Sequence, residues 1–387
     1  MNIVSQLLSW KPVTTDERHT HLDVLRGVAL LGVLLVNLLV GFRVSLFQHI
    51  LTFHTHPGWA NHAVDNLMAW IFEFKAFALF SFLFGMGVGI QAERARLRGI
   101  NVSGFFARRF AVLLAFGLCH MLLIWNGDIL TLYAVCGFLL LPLINRSTWM
   151  VAISGVAAIA LMFVPGLDVP FPSEGDLRIQ AAEATRIYAQ GSFSEIMVFR
   201  WREAWQFIAP LLLGSLPRTF GLMLLGIAAW RAGILKKPAE HRKLLFAVLV
   251  VGGIGGVVIE AVSPILLAFA FSAGLLRWLN FEPAGLIRRS FAAAGQMALT
   301  NYLSQSIIFS VVFYGFGFGL FGRLGSAITA CMGLVVYAGQ LAASYVWLQH
   351  YRFGPAEWLW RSLTYGRWQP MKLPRDAKFC VSTSRPV

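Results

Sequence analysis

The stretch Val24-Leu-Arg26-Gly-Val-Ala-Leu-Leu-Gly-Val-Leu-Leu-Val-Asn37-Leu-Leu-Val-Gly-Phe-Arg43-Val44 decides the fold class. It is apolar on every face, whereas a helix on the surface of a soluble protein keeps a polar stripe. Crossing the hydrocarbon core takes about 20 mostly apolar residues. Similar runs recur near 64–90, 110–125, 129–144, 148–167, 211–230, 244–262, 264–280, 290–315 and 325–348, for ten candidate spans. The whole chain agrees: 57% of its 387 residues are hydrophobic and 13% charged, with a mean hydropathy of +0.67. That is too little charge to cover a soluble exterior of this size. The composition also excludes disordered, collagen-like and coiled-coil chains. The apolar runs are unbroken and not alternating, which argues against a β-barrel. The expected class is an all-α, polytopic integral membrane bundle of about ten transmembrane helices.

Basic residues orient the bundle. With the N-terminus inside, 24 of the 32 Lys and Arg residues fall on the inner side, as the positive-inside rule requires. The expectation is N-in and C-in, with a single transmembrane domain over 24–348. A cytoplasmic interfacial segment over 1–23 precedes it, and an aromatic and basic cytoplasmic tail over 349–387 follows. The net charge of +14 reflects this distribution, so no nucleic-acid partner is expected. Two outer loops are long, 45–63 and 168–205, the second with a helical, amphipathic character from Asp176 onward. Loops of that length are usually functional. The third and fourth spans are about 16 residues each and meet at Trp125-Asn-Gly-Asp128; both are expected to cross. The first thirteen residues lack the features of a signal peptide. The cysteines are scattered, so neither a disulfide nor a metal site is expected.

Ionisable and amide groups inside a membrane cost several kcal/mol unless paired, which makes each a functional candidate. They are Arg26 and Asn37 in the first span, Glu73 and Lys75 in the second, His120 and Asp128 around the third and fourth, Glu260 in the seventh, and Asn301, Tyr302 and Gln305 in the ninth. Arg26 and Asn37 are eleven residues apart, so they share one helix face roughly 16 Å apart. Arg26 snorkelling to lipid phosphate and Asn37 bonding a neighbouring helix is the alternative for that pair. Glu73 and Lys75, two apart, cannot pair on one helix and need separate partners. Across an antiparallel hairpin His120 and Asp128 can meet, as a general base with its orienting carboxylate. Capping of the next helix is the alternative for Asp128. The loop histidines at 49, 54, 56 and 62 lack the spacing and carboxylates of a metal site.

Several segments carry a resemblance. His21-Leu-Asp-Val-Leu-Arg26-Gly, Phe80-Ser-Phe-Leu-Phe-Gly85-Met-Gly87, Gly117-Leu-Cys-His120 with Trp125-Asn-Gly-Asp128, Gly295-Gln-Met-Ala-Leu-Thr-Asn301-Tyr302-Leu-Ser-Gln305, and Gly354-Pro-Ala-Glu357-Trp-Leu-Trp-Arg361 resemble the blocks of the YeiB-like bacterial membrane family. The resemblance runs from residue 21 to about 370 and implies a multi-pass protein of the bacterial inner membrane. It also implies kinship with transmembrane acyltransferases, which include the acyltransferase-3 enzymes and heparan glucosaminide N-acetyltransferase. Those move an acyl group from cytoplasmic acyl-CoA to an acceptor across the membrane. Where acyltransferase-3 proteins have a first-span His, this chain has Asn37, similar to the heparan enzyme. In that enzyme the proposed catalytic His lies in the following loop, which here matches His56, three residues before Trp59.

On that resemblance, His120, Asp128 and His56 are the candidate catalytic groups. Asn37, Asn301, Tyr302, Gln305, Glu73 and Lys75 are candidates for substrate binding or oxyanion stabilisation. Arg26 and Arg361, with other inner-face arginines, are candidates for the acyl-CoA (acetyl-CoA) phosphates. Expected partners are the bilayer, acyl-CoA and an extracytoplasmic acceptor, with a homodimer permitted by glycine-dense helices. Two rival classes use the same groups. A transporter or flippase of a small polar or anionic substrate would use them as a binding site or proton relay, and a non-catalytic envelope protein would use them as helix glue.

Overall fold

The computed structural model describes residues 19–165, 172–236, 238, 240–281 and 285–373. Most of the expected interfacial segment over 1–23, the first residues of the 168–205 loop and the end of the 349–387 tail lie outside the described residues. Those described are helical apart from turns and one isolated bridge between Tyr351 and Lys372. Among them, five helical stretches are long and apolar enough to cross a membrane: Thr20–Phe42, Trp59–Leu97, Val102–Ile124, Ala209–Arg231 and Ser326–Leu348. Shorter apolar helices include Leu130–Leu140, Thr148–Phe163, Ser263–Leu279 and Ala298–Phe313. Large apolar side chains face outward on them, such as Trp149, Ile153, Val156, Val335 and Val346. An exterior of this kind is that of a membrane protein, in which lipid covers what water would not.

The helices that build the site are α1 (Thr20–Asn37, extended by a π turn, Leu38–Phe42), α2 (Leu46–Leu51), α3 (Trp59–Ile71), α4 (Lys75–Leu97), α5 (Val102–Cys119, extended by a π turn, His120–Ile124) and α6 (Leu130–Leu140). After α7 (Thr148–Ala160) come α8 (Glu174–Gln190), α9 (Phe193–Glu203) and α10 (Ala209–Arg231). Then follow α11 (Arg242–Val258), α12 (Ser263–Phe281), α13 (Leu286–Gln296), α14 (Ala298–Phe313), α15 (Ser326–Leu348) and α16 (Pro355–Tyr365).

Four expected spans are built differently. The run over 64–90 is two helices, because Phe74 turns left-handed (φ 59°) between α3 and α4. Lys75 Nζ then donates back to the Ala69 carbonyl at 2.6 Å. The run over 290–315 breaks at Met297, where Glu357 of α16 accepts from the Leu299 amide at 2.6 Å and the Thr300 amide at 3.1 Å. That carboxylate satisfies the otherwise unbonded amides of the first turn of α14. The third span is longer than expected, starting at Val102, while the helix of the fourth has only 11 residues.

Both long loops are helical. Loop 45–63 holds α2 and the start of α3, and loop 168–205 holds α8 and α9, each opened by a capping box, Ser173 with Asp176 and Ser192 with Glu195. Such boxes end the search for hydrogen-bond partners at a helix start.

Close approach of backbones holds the centre. On α4 and α10, Gly85 faces the Met223 carbonyl and Gly226 faces the Phe82 carbonyl; an added Cβ would lie 2.0 Å and 2.1 Å from those oxygens. Small residues at such crossings let backbones pack where no hydrophobic effect drives helices together. Polar groups add interhelical bonds. Tyr337 donates to the Gly27 carbonyl at 2.5 Å, and Ser81 meets the Tyr133 hydroxyl at 2.9 Å.

Candidate functional site

The α5–α6 hairpin brings His120 and Asp128 together, with Nδ1 of the imidazole 2.9 Å from Oδ1 of the carboxylate and both side chains fully buried. A carboxylate only accepts, so Nδ1 carries the proton and Nε2 is the basic nitrogen. Nε2 has no protein hydrogen-bond partner among the described residues. Asp128 serves the helix as well, because its Oδ2 accepts from the Thr131 amide at 2.6 Å in the first turn of α6. One carboxylate thus both holds the imidazole and bonds the first turn of the next helix. Tyr302 of α14 packs against the imidazole, ring centroids 5.0 Å apart, and its hydroxyl accepts from the Ile129 amide at 3.4 Å. Trp125 stacks on Phe42 at 4.4 Å, and Gly127 leaves the room its indole needs.

A cavity of about 220 Å³ opens beside this hairpin. Asn37, Ser45, Asn126, Asp128, Glu203 and Arg218 are among its polar lining, and Phe77, Leu132, Leu211 and Leu212 among its apolar wall. Asp128 therefore stands between the cavity and His120, which does not line it. Few convergent polar groups in a largely apolar hollow is the usual make-up of a small-molecule site. The cavity lies at the Asn37 end of α1, roofed by residues of α2 and α9, so the long loops do cover it.

Glu203 ties this roof to the hairpin. Its carboxylate accepts from the Tyr188 hydroxyl at 2.6 Å, from Gln180 Nε2 at 3.2 Å and from the Asn126 amide. Burial pushes the carboxyl up to about 7, although these donors and nearby Arg200 pull it the other way. Arg200 is wholly buried, donates to the Leu123 carbonyl at 3.1 Å and lies 4.9 Å from the Tyr314 ring.

The remaining candidates fall elsewhere. His56 lies between α2 and α3, where the buried Arg43 bonds Thr55 Oγ1 at 2.5 Å and approaches His56 Nδ1 at 3.2 Å. Burial and the Arg43 charge hold His56 below its ordinary value. Glu73 meets His49 at 3.4 Å, so it and Lys75 each have a separate partner. Asn301 and Gln305 join an amide network. Asn301 Nδ2 donates to Ser344 Oγ at 3.0 Å, Gln305 Nε2 to Gln340 Oε1 at 2.7 Å, and Gln340 Nε2 to the Asn301 carbonyl at 3.1 Å. That network joins α14 to α15 and does not line the cavity.

Arg26, at the opposite end of α1, pairs with Asp23 at 2.9 Å. It and Arg361 are near enough for their charges to act on Arg109, whose guanidinium lies 3.7 Å from the Trp360 ring centre. Arg361 itself stacks 4.6 Å from Phe353. Arginines from α1, α5 and α16 thus converge. Among the described residues no group of three or more His, Cys, Asp or Glu is arranged to hold a metal.

Sequence reasoning missed Glu203, Arg218 and the roofing Tyr188. Arg218 had a readable signal, a guanidinium inside the apolar run 211–230 one residue after Pro217. Glu203 had none, since an acidic residue in an amphipathic helix ordinarily faces water.

An uncharacterized protein, YxaH, of Bacillus subtilis is 34% identical over 395 aligned positions, covering 94% of this chain and 98% of the relative. The chain belongs to the YeiB-like DUF418 family. The family model described as a protein of unknown function (DUF418) matches residues 255–367, the segment that carries Asn301, Tyr302, Gln305, Glu357 and Arg361. An uncharacterized 39.9 kDa protein from the amylase 3′ region of Bacillus acidopullulyticus is 32% identical over 95% of this chain and 99% of its own length. The uncharacterized protein YeiB of Escherichia coli is 26% identical over 90% of this chain and 96% of its own. The full-length relatives extend the family likeness across the cavity residues, which precede the segment matched by the model.

Proposed function

We propose that this protein is an acyltransferase of the bacterial inner membrane that takes an acyl group from cytoplasmic acyl-CoA and delivers it to an acceptor on the outer side. In this reading the chain crosses the bilayer about ten times with both termini inside, which puts the cavity in the outer half and Arg26 at the inner face. The reading rests on one observation above all: a buried imidazole–carboxylate pair whose carboxylate lines a small cavity. It also draws on the kinship the sequence suggests with transmembrane acyltransferases.

The chemistry needs a base for the acceptor and donors for the oxyanion. An acceptor hydroxyl or amine in the cavity meets the His120–Asp128 pair at Asp128, the member that lines the space, and gives its proton to the pair. The acceptor heteroatom bonds to the thioester carbonyl carbon, the C–S bond then breaks, and the proton goes with the thiolate to give free CoA. Asn37 is the donor best placed for the oxyanion, since its amide lines the cavity and makes no hydrogen bond to another described residue. At the inner end Arg26, with Arg361 and Arg109 nearby, would hold the nucleotide phosphates. Arg26 and Asn37 stand roughly 16 Å apart along α1, a distance suited to an extended pantetheine arm.

The test is an acetyl-CoA titration of the purified protein, followed by thermal stability, because a ligand of the native state must raise it. Stabilisation is expected in the wild type and lost in Arg26→Ala. His120→Ala should keep the stabilisation while release of free CoA falls by about 10²-fold or more. Absence of stabilisation by acetyl-CoA and by longer acyl-CoAs would remove the reading. It would favour transport of a small anion, for which Arg218, lining the cavity without a paired counter-charge among the described residues, is the supporting observation.

A further inference from the structure

Charge around the cavity does not balance pairwise. Asp128 is bonded to His120 and to the Thr131 amide, and Glu203 accepts from three side chains. Arg218 lines the same cavity with no hydrogen bond or ion pair to any described residue; its guanidinium lies 5.1 Å from the ring centre of Phe74, which also lines the space. Ser215 and Thr219 line it too. Ser215 and Thr219, four residues apart, share one face of α10, and Arg218, three residues after Ser215, lines the same space. A guanidinium in a half-buried site without a counter-charge is costly, and hydroxyls beside it complete an anion-binding set.

We propose that Arg218, flanked by Ser215 and Thr219, is the anion subsite of this cavity, and that its ligand is a small monocarboxylate that also carries a hydroxyl or amino group. The single unpaired cation balances one negative charge. A doubly charged phosphate would leave an excess beside Asp128 and Glu203, whereas a planar carboxylate matches the guanidinium fork. A volume of about 220 Å³ admits a molecule of hydroxy-acid or amino-acid size, below the range of drug-sized pockets. Leu211, Leu212 and Leu132 would take its apolar body. With its carboxylate on Arg218, the hydroxyl or amino group faces the wall of Asp128 and Asn37, where the acyltransferase reading needs the attacking heteroatom. The subsite rests on the cavity being the substrate site and not on which reaction follows.

A test is chemical labelling of a cysteine placed in the subsite. In the full-length protein in detergent, Cys119, Cys136, Cys331 and Cys380 are replaced by Ala and Ser215→Cys is introduced. Reaction rates are measured with the anionic sulfonatoethyl and the cationic trimethylammonioethyl methanethiosulfonates, each normalised to a free small thiol. The anionic reagent is expected to be favoured by on the order of tenfold, with the preference lost in Arg218→Gln and kept in Arg218→Lys. Lactate and alanine should slow labelling, while uncharged lactamide should not. Equal rates, an anionic preference that survives Arg218→Gln, no labelling by either reagent, or equal protection by lactate and lactamide would each overturn the proposal. If Arg218→Gln does not fold, Arg218→Lys and the lactate–lactamide comparison decide. None of these readouts involves acetyl-CoA, so failure here is distinct from failure of the acetyl-CoA titration.

Discussion

Replacing Glu203 by Gln should change how stability depends on pH. In the native protein burial raises this carboxyl to about 7, against an ordinary value of 4.5. An acid whose folded value is raised binds its proton more tightly when folded, so the unfolded chain releases it first as pH rises. Stability therefore falls across the window from about 4.5 to 7 and stays lower above it. At about 1.4 kcal/mol per pH unit, the gap between the two values corresponds to roughly 3 kcal/mol. An unfolding entropy of about 2.1 cal/mol/K per residue over 387 residues converts this to about 4 °C in Tm. Glu203→Gln keeps an acceptor oxygen for the Tyr188 hydroxyl but does not ionise. The assay is thermal unfolding of wild type and variant in one detergent from pH 4.5 to 8.5, reading the difference between their curves so that other titrating groups cancel. Relative to the wild type, the variant should gain about 4 °C on going from the acidic to the alkaline end. Parallel curves across the window would refute the assignment of a raised, buried carboxyl to this position.

Other outcomes follow from the same geometry. Gly226→Ala places a methyl against the Phe82 carbonyl and should cost about 1–3 kcal/mol, whereas Gly253→Ala, with nothing within 4 Å, should be close to neutral; thermal melts of the two compare them directly. Glu357→Ala removes the acceptor of two α14 amides and of the Thr300 hydroxyl, and a loss of about 2 kcal/mol is expected by the same measurement. Asp128→Asn should lower turnover by about 10²-fold or more without abolishing acetyl-CoA stabilisation, since Arg26 and not Asp128 stands at the donor end; equal loss of both would contradict that separation.

Local chemistry makes some of this architecture legible in the chain alone. Apolar runs such as Val24–Val44, repeated along a chain with too little charge to cover a soluble exterior, make the helical membrane class follow from composition and period, although this particular helix is mostly covered by its neighbours. The His120–Asp128 pair was readable because eight residues with an Asn-Gly turn close a hairpin, and short-range geometry is nearly independent of the rest of the fold. Glu73 and Lys75 were correctly separated by the same kind of reasoning, since residues two apart on a helix face different ways. The breaks at Phe74 and Met297 were not readable. One depends on a left-handed residue within an apolar run, and the other on Glu357, about 60 residues away in sequence, supplying the cap.

The site shows where the boundary lies. Types and spacings single out residues that are expensive in a membrane, but cannot say which of them share a space. Asn301 and Gln305 became a bond network between α14 and α15, while Asn37, Asp128, Glu203 and Arg218 came to one cavity from four separate stretches of the chain. The membrane class and the hairpin pair were determined by the sequence itself, through interactions within a few turns of helix. The cavity, its Arg218 wall and the near-neutral carboxyl of Glu203 were decided only by tertiary packing, because burial and charge balance are properties of what surrounds a group, not of the group.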